Sequence, residues 1–202
     1  YLAGFGGYRF GKLFTVATKK RQARLAWEDV ERFILADGDL MECFRIQDYK
    51  SLITAWETGC TIEALSREGG LDEGFRSIYA SIDEIHQHRD NKIYKAIYNG
   101  QRSLKEALTS MITTRGDDLN SFCFEMDEYC QAILAGGSTA ENFFVDIYSL
   151  DDGDDIFAPE YFLKSNPVLC QTEEGVETMM ADAQTARDAG GRELAHYITK
   201  CQ

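Results

Sequence analysis

The chain has 202 residues, 44% of them hydrophobic and 12% aromatic, so it has the material for a sizeable core and is not a disordered tail. Its net charge of −13 argues against a general nucleic-acid binder and suits a basic protein partner. Two prolines and few β-branched runs favour helices over a sandwich or barrel, and six cysteines without a CxxC pair read as reduced, buried thiols of a reducing intracellular compartment.

Residues 1–24 stand apart. Aromatic residues alternate with glycines, and Lys19-Lys20-Arg21 closes the segment. No acid precedes Glu28, so Arg9, Lys12, Lys19, Lys20, Arg21 and Arg24 give the segment +6 and leave −19 on the rest of a chain of −13. This pattern predicts a basic, aromatic arm that meets a partner or a membrane surface through Tyr1, Phe5, Tyr8, Arg9, Phe10, Lys12, Phe14, Lys19, Lys20 and Arg21. Ala3, Gly7 and Gly11 have the small-xxx-small spacing of close-packed membrane helices. A span needs about 20 apolar residues, however, and Arg9 comes too early; a span or a removed targeting peptide would lie upstream of Tyr1. Gly4, Gly6 and Gly7 make no phosphate-cradling loop, because Arg9 stands where G-x-G-x-x-G needs glycine and no strand leads in.

From residue 25 the chain reads as one acidic helical domain. A helix is expected over 23–36, with Leu25, Trp27, Val30, Phe33 and Ile34 on its apolar side. After a corner at Gly38, a second helix pattern runs from Leu40 to about residue 58, broken by Gly59. The clearest stripe is Phe75, Ile78, Ile82, Ile85, Ile93 and Ile97, which at 100° per residue predicts an amphipathic helix over 72–98. Ser103 and Glu106 form a capping box opening a helix to Ile112. Further helices are expected over 119–135, 172–189 and up to Lys200. Between them lies an irregular stretch, 151–171, holding both Pro159 and Pro167. Segments of that kind are often functional.

The segment Trp27–Tyr49 matches Met126–Tyr148 in outline, with seven identities in 23 positions. In each copy a glycine (Gly38, Gly137) stops a helix, Asp39 or Ser138 caps the next, and Glu42 or Glu141 closes a capping box. The repeat suggests two halves, 25–101 and 102–202. Asp37 is left unexplained by capping and is absent from the second copy.

Metal chemistry is the main alternative. Asp83 with His86, and Glu193 with His196, have the three-residue spacing of di-metal bundles. On the helical wheel His86 lies on the apolar stripe and Asp83 at its edge, while Glu193 and His196 point away from their apolar face. The acidic loop Asp151-Asp152-Gly153-Asp154-Asp155 fails the EF-hand pattern, because Tyr148 and Pro159 occupy ligand positions. Asp37, Asp83, His86, Asp152 and Asp154 are therefore the metal candidates. No catalytic residues are assigned, since GxSxG, HExxH and P-loop lysine motifs are missing, and no cofactor is implied.

The runs ILADGDLME and ILAGGSTAE resemble the paired Asp-Gly corners of TerB-type tellurite-resistance domains. The resemblance implies an acidic, duplicated helical fold with metal-binding acids near the corners. Asp37 matches the first motif, but Gly136 stands at the second aspartate.

The resulting expectation is an all-α bundle of seven to nine helices. Its function would be that of a non-enzymatic interaction subunit of a larger, membrane-associated assembly. An acidic inhibitor or immunity-type protein and a carboxylate metal protein are the competing readings. Other protein subunits are the expected partners.

Overall fold

The computed structural model describes residues 1–66, 76–116 and 118–201. It divides into two compact units, Tyr1–Thr113 and Thr114–Gln202.

The first unit is α/β, not all-α. Its elements are α1 (Leu2–Phe5), β1 (Lys12–Ala17), α2 (Lys20–Leu35), α3 (Gly38–Cys43), β2 (Phe44–Gln47), β3 (Leu52–Ala55), β4 (Thr61–Ser66), β5 (Ser77–Asp83), α4 (Lys92–Gln101) and β6 (Leu108–Ile112). The six strands form one sheet in the order β2-β3-β4-β1-β5-β6. β4, β1, β5 and β6 run parallel, while β2 and β3 are added antiparallel at one side.

The arm expected at residues 1–24 is largely core. Leu13, Phe14, Thr15, Val16 and Ala17 of β1 are all buried, as in a parallel strand covered on both faces. Such a strand is a continuous apolar run without alternation, which is why it carries no period-two signal. Phe14, expected at a contact surface, is 1% exposed. α2 lays Ala23, Trp27, Val30 and Ile34 toward the core; Trp27 is fully buried, and its indole N–H donates to the Ile62 carbonyl at 3.2 Å. Leu25 and Phe33, placed on the same face by the sequence pattern, are exposed instead.

The expected helix over 72–98 is a strand, a short 3-10 turn at Ile85–Gln87 and α4. Ile78, Ala80 and Ile82 are buried at alternate positions of β5. A spacing of four satisfies both a two-residue and a 3.6-residue period, so Ile78 and Ile82 fitted the helical stripe equally well. Residues 72–75 of that expected helix, Phe75 among them, lie outside the described residues. The second helix expected after Leu40 is a short α3 followed by the β2–β3 hairpin, turned at Asp48–Lys50 with Ser51 in a left-handed conformation (φ 52°). The capping-box helix expected over 103–112 is a turn followed by β6 (Leu108–Ile112).

The two corners also differ. At the first, Asp37 is itself the cap: its Oδ1 accepts the backbone N–H groups of Asp39 (2.9 Å) and Leu40 (3.1 Å). At the second, Gly136 (φ 74°) follows the end of α5 (Phe122–Leu134), and no helix begins within Ser138–Leu150.

The second unit contains α5, α6 (Phe162–Ser165), α7 (Glu173–Ala189) and α8 (Gly191–Cys201). Phe162, Met179, Ala183, Ala186 and Tyr197 form its buried centre. Phe157 stacks on Tyr197 with an interplanar angle of 2°, the Arg187 guanidinium sits 4.4 Å from the Phe157 ring centre, and the Tyr197 hydroxyl donates to the Ile156 carbonyl. The irregular stretch is therefore tied to α7 and α8 by its aromatic end.

No helix among the described residues is long and apolar enough to cross a membrane.

Candidate active site at the carboxyl ends of the parallel strands

In an open parallel sheet, ligands bind beyond the carboxyl ends of the strands, where two neighbouring strands send their connections in opposite directions. β1 and β5 are such neighbours. From β1 the chain leads through α2 toward β4; from β5 it leads through α4 toward β6. In this topology the crevice expected at their ends is bordered by Thr18 and Lys19 after β1, by Asp83 and the residues that follow β5, and by Thr113 after β6.

Asp83 is the last residue of β5. Its Oδ1 accepts the Glu84 backbone N–H at 2.9 Å. The buried His88 ring nitrogen Nε2 lies 3.2 Å from the Asp83 carbonyl oxygen, and buried Ile85 roots the following turn in the core. Glu84 has a left-handed backbone, φ 53° and ψ 53°. That conformation is costly for a residue with a long side chain and recurs at functional sites. Its Oε2 is fully buried and, among the described residues, receives no hydrogen bond. His86 Nδ1 lies 3.0 Å from that oxygen and 3.0 Å from Thr113 Oγ1. Thr113 Oγ1 additionally accepts the His86 backbone N–H at 3.1 Å.

A polar strap crosses between the first and second borders. Gln22 Nε2 of α2 donates to Gln87 Oε1 at 3.3 Å, and the Thr18 hydroxyl lies 3.1 Å from Gln22 Oε1. Lys19, Lys20, Arg21 and Arg89 are exposed on the loops and helix start that follow β1 and β5.

A magnesium ion carried by a phosphate substrate is held by one or two carboxylates, with phosphate oxygens and water completing its shell. Asp83, which ends β5, is a carboxylate at this position, and Glu84 next to it adds a buried second carboxylate oxygen, Oε2. Among the described residues no three His, Cys, Asp or Glu side chains form a protein-only metal cage.

The metal candidates read from sequence are thus separated. Asp83 and His86 meet at this crevice, whereas Asp37 is committed to capping α3. Asp152 is exposed, and Asp154 is bound by Lys164, whose Nζ lies 2.6 Å from both Asp151 Oδ2 and Asp154 Oδ2. That ammonium lowers the Asp154 pKa and occupies the centre of the acidic loop. Of the contact candidates, Tyr1, Phe5 and Tyr8 border a cavity of about 390 Å³ with Ile78 and Leu108, and the Tyr8 hydroxyl donates to the Glu106 carbonyl. Arg9, Phe10 and Lys12 are exposed around β1.

Glu84, Thr113, Gln22 and Gln87 were missed by the sequence reading. The available signal was the run Ser-Ile-Tyr-Ala-Ser-Ile ending in Asp83-Glu84, an apolar strand closed by two acids. Among the described residues no glycine-rich loop leads from a parallel strand into a helix. Gly6 and Gly11-Lys12 have the G-x-x-x-x-G-K spacing, but Leu13 stands at the Ser/Thr position and the loop enters β1 instead of leaving it.

Residues 5–132 match the family described as "Terminase large subunit, ATPase domain". Protein YmfN of Escherichia coli (strain K12) is 26% identical over 162 residues, covering 77% of this chain and 34% of YmfN. The chain therefore spans about a third of that curated relative. The crystal structure of the HK97 bacteriophage large terminase superposes with a TM-score of 0.81 at 20% identity, over 99% of this chain and 41% of that one. At that identity the likeness establishes the fold. The large terminase ATPase domain of Thermus phage P74-26 gives a TM-score of 0.48 at 15% identity, over 60% of this chain and 53% of that one.

Proposed function

Because the chain belongs to the terminase large subunit ATPase-domain family, we propose that it carries the acidic, water-activating side of a magnesium–ATP hydrolysis site in a terminase-type DNA-packaging motor. Family membership overturns the non-enzymatic assembly module, the acidic inhibitor and the TerB-like or di-metal protein as readings of this sequence. The expectation of protein partners agrees, at a coarse level, with a family of subunits.

The observation that carries the proposal is the Asp83-Glu84 pair at the end of β5, beside the crevice between β1 and β5. In P-loop ATPases an aspartate closing a core strand holds the magnesium ion. Asp83 would take that place, and the ion would polarise the terminal phosphate and neutralise charge on the leaving group. Glu84 would accept the proton of the attacking water. The water oxygen bonds to the γ-phosphorus, the bridging P–O bond breaks toward ADP, and the water proton passes to the Glu84 carboxylate.

The whole-chain charge is no obstacle to a DNA partner, contrary to the expectation drawn from composition. Acidity is concentrated elsewhere, and the exposed Lys19, Lys20, Arg21 and Arg89 put positive charge on the loops that frame the crevice.

Nucleotide hydrolysis by the intact protein with magnesium tests the proposal. Glu84→Gln should retain magnesium-dependent nucleotide binding and lose about 100-fold or more in kcat, in line with the loss of a general base. Asp83→Asn should weaken the magnesium dependence itself. Unchanged turnover in Glu84→Gln would overturn the assignment.

A further inference from the structure

His88 is a buried titratable residue between two exposed neighbours, Gln87 and Arg89. Its ring nitrogen Nε2 lies 3.2 Å from the Asp83 carbonyl oxygen. A carbonyl oxygen only accepts, so Nε2 is the donor and carries a proton. That carbonyl belongs to the Asp83–Glu84 peptide. The N–H of the same peptide donates to Asp83 Oδ1 at 2.9 Å. A trans peptide is planar, so bonds to both of its polar ends fix the plane. The plane in turn sets the ψ of Asp83 and the φ of Glu84, and Glu84 has φ 53°, in the left-handed region. Two further bonds close the turn one residue later: the Gln87 N–H donates to the Glu84 carbonyl at 2.8 Å and the His88 N–H to the Ile85 carbonyl at 2.9 Å.

We propose that His88 is a positioning residue of the ATP site: through its Nε2–H it holds the Asp83–Glu84 peptide in the orientation that gives Glu84 its left-handed backbone, and so sets the directions of both carboxylates. Such a backbone is costly for a glutamate and persists only where the surrounding bonds over-determine it. Without the His88 donor, rotation of this one peptide returns Glu84 to negative φ. The Glu84 N–H then leaves Asp83 Oδ1, and the Glu84 side chain swings away from its present place. The rotation is local, because buried Ile85 keeps the following turn rooted in the core. His88 thus acts through the backbone and not on the nucleotide.

This inference rests on Asp83 and Glu84 acting as the acids of the ATP site, and its test separates the two claims. Glutamine places an amide N–H as far from Cβ as imidazole places Nε2, whereas asparagine reaches only as far as Nδ1. In the intact protein, His88→Gln should therefore keep the bond, and His88→Asn and His88→Leu should lose it. Hydrogen exchange at the Glu84 amide, followed by NMR, reads the peptide without turnover. It should quicken about 10-fold or more in the Asn and Leu variants and stay near the wild-type rate in His88→Gln, while the other amides of β5 keep their protection. In turnover, the Asn and Leu variants should lower kcat about 10-fold and raise the magnesium concentration that gives half-maximal rate, and His88→Gln should recover most of both. A role in packing alone predicts that His88→Leu, which keeps the site apolar, is tolerated better than His88→Gln. That ranking, or a Glu84 amide that exchanges alike in His88→Gln and His88→Asn, would overturn the inference. If His88→Leu loosens β5 as a whole, the comparison of the two amide variants decides. If the wild-type protein hydrolyses no ATP, the proposed function fails, and the Glu84 amide alone decides whether His88 holds the peptide.

Discussion

Gln22 and Gln87, 65 residues apart in sequence, are joined side chain to side chain at 3.3 Å, linking the first turn of α2 to the turn after β5. The bond lies at the mouth of the crevice and is exposed. An exposed amide pair of this kind contributes about 0.5–1 kcal/mol at most. Gln87→Ala should therefore lower the urea midpoint only slightly. Its larger effect should be on the KM for magnesium–ATP, since the strap sets the separation of the two borders while Asp83 and Glu84 stay in place. A kcat loss with unchanged KM would place Gln87 in the chemistry instead.

Trp27 should prove the most sensitive single core position of α2. It is fully buried between α2 and the sheet and donates to the Ile62 carbonyl of β4. Truncating a buried aromatic costs about 3–5 kcal/mol, and here a strand carbonyl also loses its side-chain donor. Trp27→Ala should unfold the first unit at moderate temperature by circular dichroism, while Phe33→Ala on the exposed face of the same helix should leave the melting temperature nearly unchanged.

The acidic loop offers a pH prediction. Hydrogen bonding to the Lys164 ammonium, then to the Asp151 backbone, holds the Asp154 carboxyl below its ordinary value of 3.8. A depressed carboxylate contributes stability that is present above its unfolded pKa and lost as pH falls through the lowered folded value. The loss therefore belongs to strongly acid solution, below the ordinary carboxylate range. The Lys164 pKa is raised by the same two acids, so its contribution is present below the ordinary lysine value of 10.5 and lost as pH rises through the raised one. Lys164→Met should flatten both limbs of the stability profile of the second unit. A profile unchanged at both ends would show that the ion pairs are too solvated to matter.

Gly175 lies in the first turn of α7, and a Cβ there would meet the Leu169 carbonyl oxygen at 1.8 Å. That oxygen is backbone and cannot rotate away, so the turn before the helix must move. Gly175→Ala should destabilise the second unit despite alanine's better helix propensity, which favours it by about 1 kcal/mol. Gly38→Ala, where a Cβ meets nothing within 4 Å, is the control expected to gain stability. Opposite signs in thermal melts check the pair.

What the sequence disclosed follows from how each element is buried. α2 was legible because Ala23, Trp27, Val30 and Ile34 keep one face of a helix in the core. β1 was not, because a strand buried on both faces has no polar partner for its apolar residues, and its flanking lysines made the segment look like an arm. β5 was misread for a different reason: its buried Ile78 and Ile82 are four apart, and Ile85, Ile93 and Ile97 of later elements extended a stripe that no single helix carries. Asp83 and His86 were singled out as a helical i, i+3 pair. They do share a site, but because a strand ends there. Thr113 was out of reach, since only the sheet order brings the end of β6 beside the end of β5.

Asp37 is the last case. Sequence spacing favoured Asp39 as the cap and left Asp37 without a role, whereas the structure gives the capping bonds to Asp37. Losing an aspartate cap costs about 1 kcal/mol. Asp37→Ala should lower the stability of the first unit by that amount, and Asp37→Asn or Asp37→Ser should recover most of it. Asp39 sits in the first turn of α3, where a negative charge meets the positive end of the helix. Its removal should cost about 0.3–1 kcal/mol and should do so only at low ionic strength. Denaturant titrations at two salt concentrations separate the two residues: the Asp37→Ala deficit should persist in high salt and the Asp39→Ala deficit should fade. The reverse ranking would return the cap to Asp39 and reopen the search for what Asp37 does.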